Sequence, residues 1–221
     1  MGNLIVHIVR HGQSFNTHRP AGEAYPPNPP LTPTGVAEAR LLAERLGALP
    51  VDRLVSSPMR RAIETASLVG PSVDRPIEVW ARCYEHRAQP GYWSWGGREL
   101  RARYPALRLP DDLGEDDWYF GEESPGQAIA RADAFIDWLD DQAGGGAERQ
   151  LVVVTHGAFT RIVLARALSI DPRTTENAIV LDNTSVTTLR LAGGAMNILS
   201  LNDTSHLANA RELDPLRGVS R

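Results

Sequence analysis

Leu151-Val152-Val153-Val154-Thr155-His156-Gly157 is the stretch that decides the fold. An unbroken apolar run rich in β-branched residues reads as a strand buried on both faces, and such strands belong to parallel sheets covered by helices. The run stops at His156-Gly157, and Ala158 to Leu168 reads as a helix. Near the start, Leu4 to Val9, with His7 inside it, repeats the pattern and stops at Arg10-His11-Gly12. Two short apolar strands thus each run into a His-Gly pair.

Between these strands, elements alternate. Arg19 to Pro33 is crowded with proline and reads as an irregular loop. Thr32-Pro33-Thr34-Gly35 opens a helix with Val36, Ala39, Leu42, Ala43 and Leu46 on one face. Arg53 to Ser56 is a strand, Ser57-Pro58 starts a helix through Val69 with Ser57 as its cap, and Ile77 to Trp80 is a third strand. Ser124-Pro125 starts a long helix through Phe135 and Leu139, ending at Gly144-Gly145-Gly146. Ser185 to Leu191 and Met196 to Leu201, joined through Ala192-Gly193-Gly194, form a hairpin at a sheet edge. After Asn202 the chain is polar. The expectation is an α/β fold with three α/β/α layers and a mostly parallel sheet closed by an antiparallel edge. Residues 1–221 read as one domain, with a loop-rich aromatic insertion at about 87–123 that contains a short helix near Arg98 to Tyr104.

Composition narrows the function classes. A net charge of -4 over 221 residues gives no reason to expect nucleic acid or an anionic membrane as a partner. The lone Cys83 cannot form an internal disulfide, which fits a cytoplasmic setting. The first residues carry no basic, apolar leader, and Val6 stands where a myristoylation signal needs Ser or Thr. No apolar run is long enough to span a bilayer. The edge hairpin is a surface where two chains could pair as a homodimer, though no residue pattern fixes one.

Open α/β sheets bind ligands at the carboxyl ends of their strands. Here those ends carry Arg10-His11, Ser56-Ser57 with Arg60 and Arg61 just beyond, and His156. Taken singly, each residue has an ordinary reading: a histidine that caps, an arginine on a solvated face. The doubled His-Gly ending is what makes a shared site the better expectation.

Val9-Arg10-His11-Gly12-Gln13-Ser14-Phe15-Asn16 resembles the signature of the histidine phosphatase superfamily, also called phosphoglycerate mutase-like. Further segments resemble that family in order. They are Pro30 to Gly35, Ser56 to Ala66 with Arg61 in the phosphate-binding place, and Glu85 in the place of the acid. A looser Gly121-Glu122-Glu123-Ser124 follows, then Val153 to Gly157, then Asn183 to Val186. The resemblance implies a phosphohistidine on His11, phosphate held by Arg10, Arg61, Asn16 and Gly157, His156 on the same phosphoryl group, and Glu85 as proton donor and then base. A plain alternative for Glu85 is a surface carboxylate pairing with Arg82 or Arg87. Gly157 and Ala158 stand where the acid-phosphatase branch has Asp after the second histidine, so the likeness is to the other branch.

The expected activity is a phosphomonoesterase acting on a small phosphorylated metabolite without metal or cofactor, since no ligand-spaced His and carboxylate cluster or nucleotide motif appears. A cofactor-dependent phosphoglycerate mutase is the alternative. Gln13 in place of Glu, and His86-Arg87-Ala88-Gln89-Pro90-Gly91-Tyr92 in place of Arg-His-Tyr-Gly, speak against it. A non-catalytic phospho-ligand module is a second alternative, disfavoured by the intact His and Arg set. In the aromatic insertion, Tyr92, Trp93, Trp95 and Trp118 could stack on a substrate and Arg87, Arg98 and Arg101 could meet a second anion. A small satellite core would use the same aromatic residues equally well.

Overall fold

The computed structural model describes residues 3–16, 28–86, 93–119, 123–144, 147–175 and 178–208. Its main sheet has six strands in the order β3-β2-β6-β1-β7-β8. These are β1 (Asn3–Arg10), β2 (Arg53–Ser56), β3 (Ile77–Val79), β6 (Arg149–Thr155), β7 (Val186–Ala192) and β8 (Ala195–Asp203). The first four run parallel; β7 is antiparallel to β1, and β8 to β7. This is the mostly parallel sheet with an antiparallel edge that the alternating pattern predicts.

Side chains alternate across the sheet and build one core on each face. Leu4, Val6 and Ile8 of β1 join Leu151 and Val153 of β6 on one face. Helices α4 (Pro125–Ala143) and α5 (Gly157–Ala167) cover it through Ala128, Ala132, Phe135, Phe159 and Val163. Val9, Leu54, Val152 and Val154 point the other way, to α1 (Pro33–Gly47) and α2 (Arg60–Val73). Each fully buried aliphatic side chain contributes roughly 1.5–3 kcal/mol, so the valine-rich strand serves both cores at once.

Local chemistry sets the element ends. Thr32 Oγ1 accepts from Gly35 N–H at 3.1 Å and Pro33 follows, which starts α1. Ser124 and Gln127 form a reciprocal capping box at the start of α4. The edge hairpin turns at Gly193 and Gly194, with φ of +60° and +77°. A two-residue turn with both residues at positive φ matches strand twist, and glycine adopts it without strain.

Two differences from the sequence reading matter. Helix α2 begins at Arg60, not at Ser57-Pro58, and its N-cap Met59 offers no side-chain bond. Ser57 is engaged instead in the site described below. The aromatic insertion contains a two-stranded sheet, β4 (Trp93–Ser94) with β5 (Trp118–Tyr119), and α3 (Gly97–Arg103). Trp95 is buried with Leu100, Leu107 and Leu113 against Ile63 and Val79. Arg60 and Arg103 lie over its ring at 5.2 and 4.6 Å. Trp95 therefore belongs to a satellite core, where its large apolar area is best used, and not to a ligand-facing cap. Trp93 is half-buried at the edge of the same core. Arg87, Tyr92 and the Trp118 side chain lie outside the described residues. No helix among the described residues is long and apolar enough to cross a membrane.

Candidate active site

Register brings the two histidines together. Along β1 and β6, Arg10 pairs with Thr155, and His11 N–H donates to Thr155 C=O at 2.9 Å. Ser57 N–H donates to Val154 C=O at 2.9 Å, so the end of β2 joins the same rim. The His11 and His156 rings lie 5.1 Å apart, centroid to centroid, and both are buried.

The ring nitrogens of His11 have distinct partners. Nδ1–H donates to Gly12 C=O at 2.7 Å, which leaves Nε2 bare to accept from Arg61 Nε–H at 3.0 Å. His156 Nε2 meets Ser57 Oγ at 2.8 Å, while its Nδ1 is buried without a partner. Ser57 Oγ also accepts from Met59 N–H at 3.3 Å, so its hydroxyl hydrogen is available for His156 Nε2. The Ser57 side chain is thus a site residue that helix-capping rules misassign.

Charge and burial keep both rings neutral. Burial first, then the Arg61 and Arg10 guanidinium groups, hold His11 well below the ordinary imidazole value. His156 is lowered by burial, then Arg61, then the His11 ring. Arg61 is 1% exposed. Arg10 donates to Leu181 C=O through Nη1, and its Nε is buried without a partner. Gly157, the first residue of α5, packs on that guanidinium: a Cβ there would stand 3.4 Å from Arg10 Nε. Buried donors left open are rare in native proteins and mark a place where a ligand supplies the acceptor.

The loop carrying His11 is pinned from three sides. Gly12 N–H donates to Thr65 Oγ1 at 3.1 Å and Gln13 N–H to Glu38 Oε2 at 2.8 Å. Asn183 Nδ2 donates to His11 C=O, and Thr184 N–H to Arg10 C=O, both at 3.0 Å. A Cβ on Gly35 would come within 2.0 Å of Gln13 C=O, so α1 can approach the loop this closely only through glycine. Asn16 accepts a hydrogen bond from Ser14 Oγ, and no contact with either histidine is found for it among the described residues.

Glu85 does not pair with Arg82. Its carboxylate accepts from His86 N–H at 2.9 Å, Phe159 N–H at 3.0 Å and Ala158 N–H at 3.4 Å. It therefore caps α5 one turn from His156 and lies near Arg10, whose charge it supports. A buried network that the sequence reading missed fixes the segment. Arg131 donates to both Glu123 oxygens, at 2.8 and 2.7 Å, and to the Arg82 and Tyr84 carbonyls, at 2.9 and 2.7 Å. Glu123 also accepts from His86 Nδ1 at 2.8 Å. Burial would raise the Glu123 carboxyl, but hydrogen bonds from His86 and Arg131 outweigh it and hold the group at about 2. The signal for Arg131 was present in the sequence: it falls on the apolar stripe of α4 with Ala128, Ala132 and Phe135. Among the described residues no group of three or more His, Cys, Asp or Glu is arranged to hold a metal ion.

Comparisons with known proteins bear on the family and the fold. Among curated relatives, an uncharacterised Mycobacterium tuberculosis protein is 33% identical over 99 residues, 41% of this chain and 48% of that protein. The chain thus spans about half the length of the first relatives it matches. A Hydrogenobacter thermophilus protein named as a phosphoserine phosphatase is 24% identical over 91% of this chain and 96% of its own length. A crystal structure of an Entamoeba histolytica phosphoserine phosphatase variant with phosphoserine superposes with a TM-score of 0.65 at 21% identity, over 92% of this chain and 99% of that one. The sequence model of the histidine phosphatase superfamily, branch 1, matches residues 6–204, and with both histidines and both arginines on one rim the chain belongs to that superfamily.

Proposed function

We propose that this protein is a phosphomonoesterase that works through a phosphohistidine on His11. The observation that carries the reading is the bare His11 Nε2, fixed by the Nδ1–H bond to Gly12, with the Arg61 guanidinium bonded to it and the Arg10 guanidinium near it. In the first step Nε2 attacks phosphorus, the N–P bond forms and the P–O bond to the leaving group breaks. The Glu85 carboxyl gives its proton to the departing alkoxide. In the second step water attacks the phosphohistidine, Glu85 takes the water proton, and orthophosphate leaves as Nε2 recovers its lone pair.

Positioning and charge do most of the work in phosphoryl transfer. Arg61 gives up its bond to Nε2 and donates to the non-transferring oxygens, together with Arg10 Nε–H. With Ser57 O–H donating to His156 Nε2, the proton of His156 sits on Nδ1 and serves a third oxygen. Gly157 N–H opens α5 beside Arg10, and Asn16 closes the site from the His11 loop. Each such donor is worth about a hundredfold or more in rate. Phosphoserine, named for the relatives, is the natural first substrate to try among small phosphorylated metabolites. The lone Cys83, buried and pushed up to about 12, stays a thiol with no nucleophilic part in the scheme and fits a cytoplasmic setting.

The test is turnover of an aryl phosphate and of phosphoserine with chelator present, followed by acid quench and mapping of acid-labile phosphate. Wild type should release orthophosphate and label at His11; His11→Ala should do neither. Release that survives in His11→Ala would overturn the mechanism. Phosphoglycerate interconversion without net release would identify a mutase, and inertness on a broad ester panel would identify a binding module.

A further inference from the structure

A cavity of about 730 Å³ begins where the candidate site ends. Its lining starts at His86 and Ala158, whose N–H groups bind the Glu85 carboxylate. From there it follows one stripe of α5, through Arg161, Ile162 and Arg166, and reaches Ser169 just past the helix. At 1.5 Å rise per residue, its helical part from Ala158 to Arg166 runs about 12 Å from the rim. Ile129 of α4 faces it, and Ile170 and Pro172 close its far end.

Chemistry ties this space to the leaving group. The atom that Glu85 protonates is the ester oxygen, so whatever that oxygen carries must continue past Glu85. His86 and Ala158, whose N–H groups hold Glu85, also line the cavity. Its charges are uneven. Arg166 is paired with Asp133 at 2.6 Å and Arg173 with Asp171 at 2.5 Å. Arg161, half-buried one turn into α5, has no hydrogen-bond or ion-pair partner among the described residues. It also stands near enough to Arg10 for the two cations to repel. Glu85 offsets part of that repulsion at Arg10, while Arg161 has no such partner among the described residues, and a ligand with more than one anionic group would serve both guanidinium groups. The apolar wall comes from Pro125 and Ile129 of α4 and Ile162 of α5, while the far end mixes Ile170 and Pro172 with the paired Arg166 and Arg173. Apolar surface with a few convergent polar groups is the common form of a small-molecule site.

We propose that this cavity is the leaving-group subsite, and that it selects phosphate monoesters carrying a second anionic group next to the ester, on Arg161, and an apolar body beyond it, against Ile129 and Ile162. The inference rests on the phosphatase reading and deepens it. It assigns specificity to α4 and α5 on one flank of the rim, and not to the aromatic insertion, whose Trp95 is committed to a core of its own.

Three esters separate the contributions: phosphophenyllactate, its neutral analogue 1-phenylpropan-2-yl phosphate, and phospholactate, which lacks the ring. Wild type should favour phosphophenyllactate over the neutral analogue by about tenfold in kcat/KM, the usual worth of one charge-assisted hydrogen bond. It should favour phosphophenyllactate over phospholactate by a similar factor, from burial of the ring. Arg161→Gln should erase the first preference and keep the second; Ile129→Asn should do the reverse. Arg161→Lys, which keeps the charge, should retain a preference of a few-fold, a rescue that a merely structural role would not show. Equal kcat/KM for the charged and neutral esters, or preferences that survive both substitutions, would overturn the subsite while the phosphatase reading stands. No phosphate release from any of the three by wild type, nor from an aryl phosphate, would overturn the phosphatase reading and the subsite with it.

Discussion

Acidification should strip stability from this protein through its two site histidines. His11 and His156 are buried and stay neutral well below 6.5, because burial penalises the charged ring and nearby arginines add to the penalty. In the unfolded chain each ring titrates near its ordinary value. Below 6.5 the unfolded state therefore binds more protons than the folded state, and stability falls as pH falls. At pH 5.0, 1.5 units under the ordinary value, the term RT ln(1 + 10^1.5) is about 2 kcal/mol per ring, or about 4 kcal/mol for the pair. At pH 7.5 the same term is under about 0.1 kcal/mol per ring. Against a total stability of roughly 5–15 kcal/mol, that is a large share. Urea unfolding of wild type and of the double variant His11→Gln/His156→Gln at pH 7.5 and 5.0 measures it. His7 and His206, the latter held at about 4 chiefly by burial, are present in both chains and cancel in the difference. The double variant should lose about 4 kcal/mol less than wild type on acidification. Equal losses would mean that the rings charge inside the fold, and the account of His11 as a neutral nucleophile would fail.

Gly35→Ala puts a Cβ 2.0 Å from Gln13 C=O, and ordinary contact near 3.4 Å demands a shift of 3.4 - 2.0 = 1.4 Å. A displacement of that size in the His11 loop should cost about a hundredfold in kcat on an aryl phosphate, so near-normal kcat would refute the fixed-loop picture. Arg131→Met should destabilise by about 3–5 kcal/mol in urea, because it strands the buried Glu123 carboxylate, and adding Glu123→Leu should recover much of the loss. Glu123, held at about 2, contributes stability that is fully present above its ordinary value of 4.5 and lost as pH falls toward 2; that loss should be missing in the double variant. Trp95→Ala should cost roughly 3–5 kcal/mol of stability. A rise in KM with stability intact would instead return Trp95 to the substrate.

What the sequence made legible was whatever depends on neighbours along the chain. Strand character in Leu151 to Thr155, the caps at Thr32 and Ser124, and the Gly193-Gly194 turn all follow from local rules, and all appear. The meeting of His11 and His156 is different in kind. It depends on the pairing of Arg10 with Thr155, which local propensity does not encode, and the sequence offered only two matching strand ends. Where local and distant demands compete, the local rule failed. Ser57 has the makings of a helix cap, yet its hydroxyl is drawn to His156, and α2 starts three residues later without a side-chain cap. Arg131 failed the same way: a helical pattern shows that it faces inward but not that Glu123, Arg82 and Tyr84 wait there.

One physical cause links the chemistry to the fold's weakness. The whole chain carries a net charge of -4, yet Arg10 and Arg61 both act on His11 and Arg161 stands near Arg10, with Glu85 and Glu38 offsetting part of the Arg10 charge while they also accept from backbone donors. At the His11 ring the local field is positive because the Arg61 and Arg10 guanidinium groups both act on it. That field, with burial, keeps His11 Nε2 free to attack phosphorus, and it also forbids the proton that acid would place there. A phosphate dianion relieves both strains at once, by accepting from the open donors and neutralising the guanidinium groups. Orthophosphate should therefore stabilise the folded chain more strongly than chloride at equal ionic strength, and the gain should shrink in Arg61→Met, where one source of the field is gone.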